Sequence, residues 1–477
     1  MKTSRIPLLL AILWTCASAI ADTDFSEVRK RVDRVLAGAP KAHVCLVVRG
    51  LSDGQTWIDR DGDEPAKPAS VLKLFTTAAA LERFGVDFAF ETSFLLSPVT
   101  SADGGQTREL WVIGGGDPGL ADERLLEREG ATVNDWLAKF AARVKAHLGD
   151  ARLSAIVLDD DVFDREWRND TWPPDQVDRW YQAPAGGVNF NDNCVDFAVE
   201  LNDGNPRAVT TPPMPDTFLR VNLKRGKDNT AIVARLLESD VFDVRGDVKS
   251  DHVIGPASVR DPTLFAGYAL RQALQQAGAP CPRVLRRDFA ANQLAGADEV
   301  LKVRTPLRDI IWRCNTFSQN LFAEALMKSL NAYGRGGAPT GQPGSWSTGI
   351  SILRSTLEGI GVELNGAEFR DGSGLSHHNR VSASQIVTLL HRAQTRPWGA
   401  VFRDSLAEPG EEGSLERRYD DDRLKGRVWA KTGTIRGVRS LAGYLERPDG
   451  QRLVFAIMVN GSGPRDLPER VLLALLD

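Results

Sequence analysis

Three short motifs, far apart along the chain, limit its folds more than any other feature of the sequence. Ser70-Val71-Leu72-Lys73 comes first, Ser318-Gln319-Asn320 second and Lys431-Thr432-Gly433-Thr434 third. Each carries hydroxyls, amines or an amide, and their joint chemistry exists only if they meet. If Lys73 and Ser318 line one site, residues 74–317, about half of the 477-residue chain, must leave a core and return to it. Loops longer than ~15 residues without structure of their own are uncommon, so this stretch is expected to fold as one or more inserted domains. At ~150 residues per domain the whole chain has room for about three.

The local patterns around the motifs suit chemistry. Pro68-Ala69-Ser70 leads into a predicted helix from Val71 to Phe84, closed by Gly85. Serine and lysine three apart on a helix share a face. At the helix N-terminus, outward backbone N–H groups and the dipole favour negative charge on a bound oxygen. A lysine held neutral by desolvation or by a neighbouring cation can act as the base for a hydroxyl. By chance Ser-x-x-Lys should occur about once or twice in a chain of this length, and an N-cap serine before a solvated lysine is the ordinary reading. Ser318 to Asn320 falls in a predicted helical stretch from Asp309 to Ser329, and Lys431 follows the β-type run Arg427 to Ala430. A lysine and two hydroxyls, Thr432 and Thr434, suit capture of a carboxylate, and Gly433 lets a ligand backbone come close. Lys-Thr-Gly alone arises in about one such chain in ten, but three motifs in this order are a poor match to coincidence.

The trio resembles the active-site serine penicillin-recognising enzymes, and within them the low-molecular-mass class C penicillin-binding proteins, the D-alanyl-D-alanine carboxypeptidase/endopeptidase family. Further segments carry the resemblance: Gly114 to Pro118, Asp159 to Asp164, Tyr181-Gln182-Ala183-Pro184 with Asn189 to Asn193, and Asp371 to Ser376 with Asn379 to Ser382. They extend from about residue 40 to 465. His377-His378 departs from the family pattern, in which a basic residue is followed by a short polar one.

The resemblance implies an α/β (α+β) fold with a penicillin-binding, serine β-lactamase-like catalytic domain. Its antiparallel sheet, from residues 42–58 and 427–460, would be flanked by terminal helices and a helical cluster carrying Ser70 and Ser318. The expected division is a discontinuous catalytic domain, 22–88 and 300–477, around a β-rich insert, 89–299, of two nested domains. The implied chemistry is attack by Ser70 on the penultimate D-alanine carbonyl, with Lys73 as base. Ser318 would bridge Lys73 and Lys431 and relay a proton to the leaving D-alanine. Asn320 would hold the substrate amide; Lys431, Thr432 and Thr434 would take the terminal carboxylate. Lys431 would also lower the pKa of Lys73 by like charge. The backbone N–H groups of Ser70 and Thr434 would form the oxyanion hole, a device worth ~3–4 kcal/mol per donor. Peptidoglycan stem peptides are the implied substrates and β-lactams the implied covalent inhibitors, with no metal or organic cofactor. The family meets the amino end of the peptide's diamino acid with acidic and aromatic groups, which here points to Asp160 within Asp159-Asp160-Asp161; the plainer reading is a solvated turn.

The N-terminus fits an exported protein. Lys2 and Arg5 precede the apolar run Ile6 to Trp14, and Ala19-Ile20-Ala21 follows, the pattern of a secretory signal at 1–21 cleaved after Ala21 or Ala19. The run is short for ~30 Å of hydrocarbon, and no later stretch approaches a membrane span. A periplasmic location is the expectation. Beyond Cys16, Cys45, Cys194, Cys281 and Cys314 allow two disulfides in an oxidising compartment, with buried free thiols as the equal alternative.

Other chemistries find little support. The 59 basic and 63 acidic residues leave a net charge of -4, without the basic excess of a nucleic-acid protein. No G-x-S-x-G elbow and no H-E-x-x-H motif occurs, and the 6 histidines are scattered. Gly114-Gly115-Gly116 is not a nucleotide loop. A β-lactamase of the same fold is the nearest alternative, and the Glu-x-x-Leu-Asn deacylation motif of the class A enzymes is absent. A non-catalytic cell-wall scaffold would show a broken trio, and the trio is intact.

Overall fold

The computed structural model describes residues 25–102, 105–288, 294–419 and 421–477; the signal read at 1–21 lies outside them. The fold is mixed α and β. Its central sheet has five strands in the order Val428–Ile435, Val438–Glu446, Arg452–Gly461, Ala42–Gly50, Thr56–Arg60, antiparallel throughout. The two ends of the chain therefore meet in the middle of the sheet, where Ala42 faces Gly461 and Gly50 faces Leu453.

The central strands are apolar on both faces because both faces are covered. Along Ala42–Gly50, Val44, Leu46 and Val48 enter one core, while Cys45 and Val47 enter the other. Along Arg452–Gly461, Leu453, Phe455, Ile457 and Val459 join the first core, and Val454, Ala456 and Met458 the second. Successive strand residues point to opposite faces, so an unbroken apolar run is what a two-sided layer requires. The first core is closed by the helix at 25–37 and the terminal helix Leu467–Leu476. The second holds the helices Lys73–Phe84, Leu307–Thr316, Asn320–Ala332, Trp346–Glu358 and Ala383–Ala393. Each fully buried Val, Leu, Ile or Phe contributes roughly 1.5–3 kcal/mol, so the site sits on a stiff double layer.

Residues between the first and second motifs build three more sheets. The largest runs Val284–Arg286, Arg152–Asp159, Gly105–Ile113, Ala89–Leu96, Asp298–Pro306, with Thr100–Ala102 paired to the side. The strands by which the chain leaves and returns are direct neighbours, from Ala89 opposite Pro306 to Leu96 opposite Asp298. Two three-stranded sheets follow, Ile232–Arg235, Phe242–Val248, Leu219–Arg225 and His252–Ser258, Cys194–Asn202, Asn205–Thr211. The sequence reads this region as β-rich, but it also contains two long helices, Val133–Leu148 and Pro262–Gln276. Their caps explain them. Thr132 and Asp135 form a reciprocal capping box, and Asp261 caps Leu264 with Pro262 in the first turn.

The four described cysteines, Cys45, Cys194, Cys281 and Cys314, are free and buried, which selects the thiol alternative over disulfides. Among the described residues no helix is long and apolar enough to cross a membrane.

Candidate active site

The three motifs converge. Ser70 lies in a single 3-10 turn, Ala69–Leu72, that runs straight into the helix Lys73–Phe84, so the helix begins two residues later than its sequence suggests. Ala69 has a positive φ of 49° and helps turn the chain into this corner. Lys73 is fully buried. Its Nζ lies 3.0 Å from Ser70 Oγ and also donates to Asn320 Oδ1 at 2.7 Å and Ser373 O at 2.9 Å. Burial pushes the Lys73 amine down to about 8, against the opposing charges of Glu324 and Asp371.

Ser318 is not inside a helix. The stretch expected to be continuous is broken into Leu307–Thr316 and Asn320–Ala332, and Ser318 occupies the corner with a φ of 63°. A non-glycine residue there costs roughly 1–3 kcal/mol, so its surroundings must hold it. Asp192, from the stretch between the first and second motifs, does so, accepting from Gln319 Nε2 at 2.6 Å and Arg313 Nη2 at 3.0 Å. The corner turns Ser318 Oγ toward Lys431, whose Nζ donates to it at 2.8 Å. Ser318 thus meets Lys431, while Lys73 takes Asn320 as its partner. Asn320 is committed at both ends, because its Nδ2 donates to Tyr181 O at 2.7 Å.

Lys431 is also fully buried, and burial followed by the charge of Lys73 holds its pKa well below the ordinary lysine value. Both amines are shifted down mainly by loss of water. Lys431 sits on Val428–Ile435, the edge strand of the central sheet. Gly433 next to it has a structural reason. A Cβ there would lie 2.1 Å from Ser440 Oγ, 2.8 Å from Pro68 O and 3.0 Å from Ser70 N. The glycine lets this strand press against the Ser70 turn, which the sequence reading assigned to a ligand backbone.

These groups border a cavity of about 950 Å³. Ser70, Ser318, Asn320, Thr432 and Thr434 line it, and Asp175, Tyr181 and His377 form part of its far wall. Three arginines that sequence reasoning missed, Arg418, Arg436 and Arg439, open onto the same cavity near Thr434. A cavity with this cationic edge suits a ligand that ends in a carboxylate.

Asp160 corrects the sequence expectation. Its side chain is wholly buried and lies outside the cavity lining. Arg165 Nη2 stands 3.1 Å from its Oδ1, Arg286 Nε 2.9 Å from its Oδ2, and Thr263 Oγ1 donates to it at 2.8 Å. The acidic run is in part an internal clamp, and the acidic residue that reaches the cavity is Asp175. Asp160→Ala is expected to cost about 1–3 kcal/mol in denaturant unfolding by removing the buried carboxylate that Thr263, Arg165 and Arg286 share, while Arg165 keeps Asp288 and Arg286 keeps Asp261, with β-lactam acylation unchanged. A variant as stable as the parent would remove the clamp role.

The chain is similar to known proteins over most of its length. The model of the D-Ala-D-Ala carboxypeptidase 3 (S13) family matches residues 28–471. A D-alanyl-D-alanine carboxypeptidase from an Actinomadura species is 32% identical, covering 97% of this chain and 87% of the relative. D-alanyl-D-alanine carboxypeptidase DacB of Haemophilus influenzae is 25% identical over 90% of this chain and 88% of its own. The solved structure of penicillin binding protein 4 (dacB) from Haemophilus influenzae superposes with a TM-score of 0.72 at 21% identity, covering 92% of this chain and 97% of that one. The same protein complexed with a novel β-lactam superposes with a TM-score of 0.68 at 20% identity, covering 93% of this chain and 97% of that one.

Proposed function

The chain belongs to the D-Ala-D-Ala carboxypeptidase 3 (S13) family, and from that premise we propose that it is a serine-type D,D-peptidase acting on peptidoglycan stem peptides through an acyl-enzyme on Ser70. The observation that carries this reading is Ser70 Oγ at 3.0 Å from the amine of a fully buried Lys73, at the edge of a cavity with a cationic rim. Neutral Lys73 takes the Ser70 proton as Oγ bonds to the penultimate D-alanine carbonyl carbon. The tetrahedral oxyanion is held by the N–H groups of Ser70 and Thr434. As the C–N bond breaks, Ser318, hydrogen-bonded to Lys431, passes its proton to the leaving D-alanine nitrogen and takes up the Ser70 proton from the Lys73 ammonium, which is neutral again for the second step. Thr432, Thr434 and the arginines Arg418, Arg436 and Arg439 attract the terminal carboxylate. Water then attacks the ester with Lys73 again as base, returning Ser70 and releasing the shortened peptide.

Residues 22–88 and 300–477 are read as the catalytic body, and 89–299 as a nested insert whose loop at 173–182 supplies the far wall of the cavity. Asp175 on that loop is exposed and placed to meet the amine of the diamino acid. Asp175→Asn is expected to raise KM about tenfold, or ~1.4 kcal/mol, for a peptide whose diamino side chain carries a free amine. The same substitution should leave KM unchanged for the N-acetylated peptide; an equal rise with both would remove Asp175 from amine binding. The short apolar leader supports export to the periplasm.

Mass spectrometry after exposure to penicillin tests the site. The expected result is one adduct on the peptide containing Ser70, stable over minutes. An adduct elsewhere would refute the assignment, and rapid turnover without a stable adduct would favour the β-lactamase reading. Product analysis of purified muropeptides divides the activities: loss of single D-alanine is carboxypeptidase action, and release of monomers from cross-linked dimers is endopeptidase action.

A further inference from the structure

A second cavity, of about 850 Å³, lies behind the wall of the first. The segment from Thr171 to Pro184 separates them: Asp175, Gln176 and Tyr181 face the Ser70 side, while Thr171, Val177 and Gln182 face the other. Five arginines line this second cavity, Arg165, Arg168, Arg235, Arg260 and Arg370. Three of them have carboxylate partners. Arg165 pairs with Asp160 and Asp288, Arg260 with Glu238 at 2.9 Å, and Arg370 with Glu368 at 3.2 Å.

Arg168 and Arg235 do not. Among the described residues no carboxylate lies within ion-pair distance of either guanidinium, and both bind neutral oxygens. Arg168 donates to Gln182 Oε1 and, at 2.7 Å, to Pro173 O; its Nη1 has no acceptor among the described residues. Arg235, only 9% exposed, donates to Ser258 O, Ser239 O and Val177 O. Burial holds both guanidinium pKa values below the usual one, with the charge of Arg235 adding to the effect at Arg168; Asp240 and Asp178 oppose it at Arg235. Glu166 and Asp170 also border the cavity. Arg168 Nη1, with no acceptor among the described residues, and the buried Arg235 charge beside it, with no carboxylate at ion-pair distance among them, leave room for an anion at this wall.

The rest of the lining says which kind. Trp167, Trp346, Ile350 and Phe369 give an apolar floor, and Leu237, 73% exposed, stands at the rim. A guanidinium fork matches a planar carboxylate in two parallel hydrogen bonds, and the apolar floor suits carbon chains rather than a bare inorganic anion. We propose that this cavity binds a carboxylate-bearing peptide, a second stem peptide held beside the one being cleaved. The peptide identity rests on the function proposed above; the preference for an organic carboxylate does not.

The test uses the full chain with Ser70 first acylated by penicillin, which fills the catalytic cavity and is verified by mass. Failure of that acylation would count against the catalytic reading alone. Calorimetry with the tripeptide L-Ala-γ-D-Glu-L-Lys is expected to show one binding event per chain in the acylated protein. Amidation of both carboxylates of the tripeptide should abolish it, and Arg168→Gln should weaken it at least tenfold. Arg260→Gln, at the exposed rim, supplies a second variant if Arg168→Gln is unstable and should weaken binding about threefold. No binding by the acylated protein, equal binding of the diamide, or tighter binding of inorganic phosphate than of the tripeptide would each overturn the proposal.

Discussion

Lys73→Met is expected to stay folded and to acylate with a β-lactam about 10²–10⁴-fold more slowly than the parent, the usual range for loss of a positioned base. Methionine matches the length of the lysine stem, and removing a fully buried amine also removes the penalty for taking it out of water. That gain offsets the hydrogen bonds lost at Asn320 Oδ1 and Ser373 O. The pH profile of the parent is the companion result. A base near pKa 8 must be neutral to accept the Ser70 proton, so acylation should rise about tenfold per pH unit below 8 and level off above it. Stopped-flow measurement with a fluorescent penicillin reads both. A Met variant within tenfold of the parent, or a flat profile between pH 6 and 8, would take Lys73 out of the role of base.

The second large effect is expected at Glu324, which touches no substrate. It is wholly buried and accepts from Trp346 Nε1 at 2.7 Å, Gly372 N at 2.8 Å and Ser373 N at 2.9 Å. It therefore fixes the turn whose Ser373 carbonyl takes a hydrogen bond from Lys73. Asp371 braces the same turn, accepting from Gly374 N, Ser376 N, Asn379 Nδ2 and Trp172 Nε1. Glu324→Ala leaves three buried donors unmet at ~1–3 kcal/mol each, so a loss of about 3–9 kcal/mol in denaturant unfolding is expected, with slower acylation. Burial and the neighbouring Asp371 push the Glu324 carboxyl up to about 7. Its protonated form thus favours the folded state below the unfolded value of 4.5, and that contribution is lost as pH rises through 7. Glu324→Gln should flatten this part of the stability profile. Unchanged stability and acylation in Glu324→Ala would show that the turn holds without it.

How much of this was legible in the sequence depends on the range of the interaction involved. Ser70 and Lys73 could be read as neighbours because residues three apart at a helix start share a face, and Lys431 because Lys-Thr-Gly follows a β-type run. The central sheet is expected from the resemblance, and its unbroken apolar runs, such as Val44 to Val48, are accounted for by the two cores that cover its faces. Ser318 was placed in the wrong element, because the helix break depends on tertiary bonds from Asp192 rather than on local propensity. The resemblance points Asp160 at substrate and the plainer reading makes the acidic run a solvated turn; neither reading shows a buried carboxylate, because burial is not visible in one dimension. The Asp160 partners Arg286 and Thr263 lie more than a hundred residues away. Glu324 gave no sequence signal beyond being a charge in an apolar helix, Asn320–Ala332, which was the clue available. The arginines around Thr434 were hidden by an ordinary overall charge, which says nothing about local crowding.

The antiparallel pairing of Ala42–Gly50 with Arg452–Gly461 also sets an order of assembly. During synthesis the N-terminal strand has no central partner until nearly the last residue has been made. The region bounded by Ala89–Leu96 and Asp298–Pro306 closes on itself well before then. The middle of the polypeptide can thus gain structure while the hydrolytic centre is still unbuilt. Pairing across so long a separation is slow to find, so deleting the strand Arg452–Gly461 should leave a product with a folded middle and a Ser70 that does not acylate.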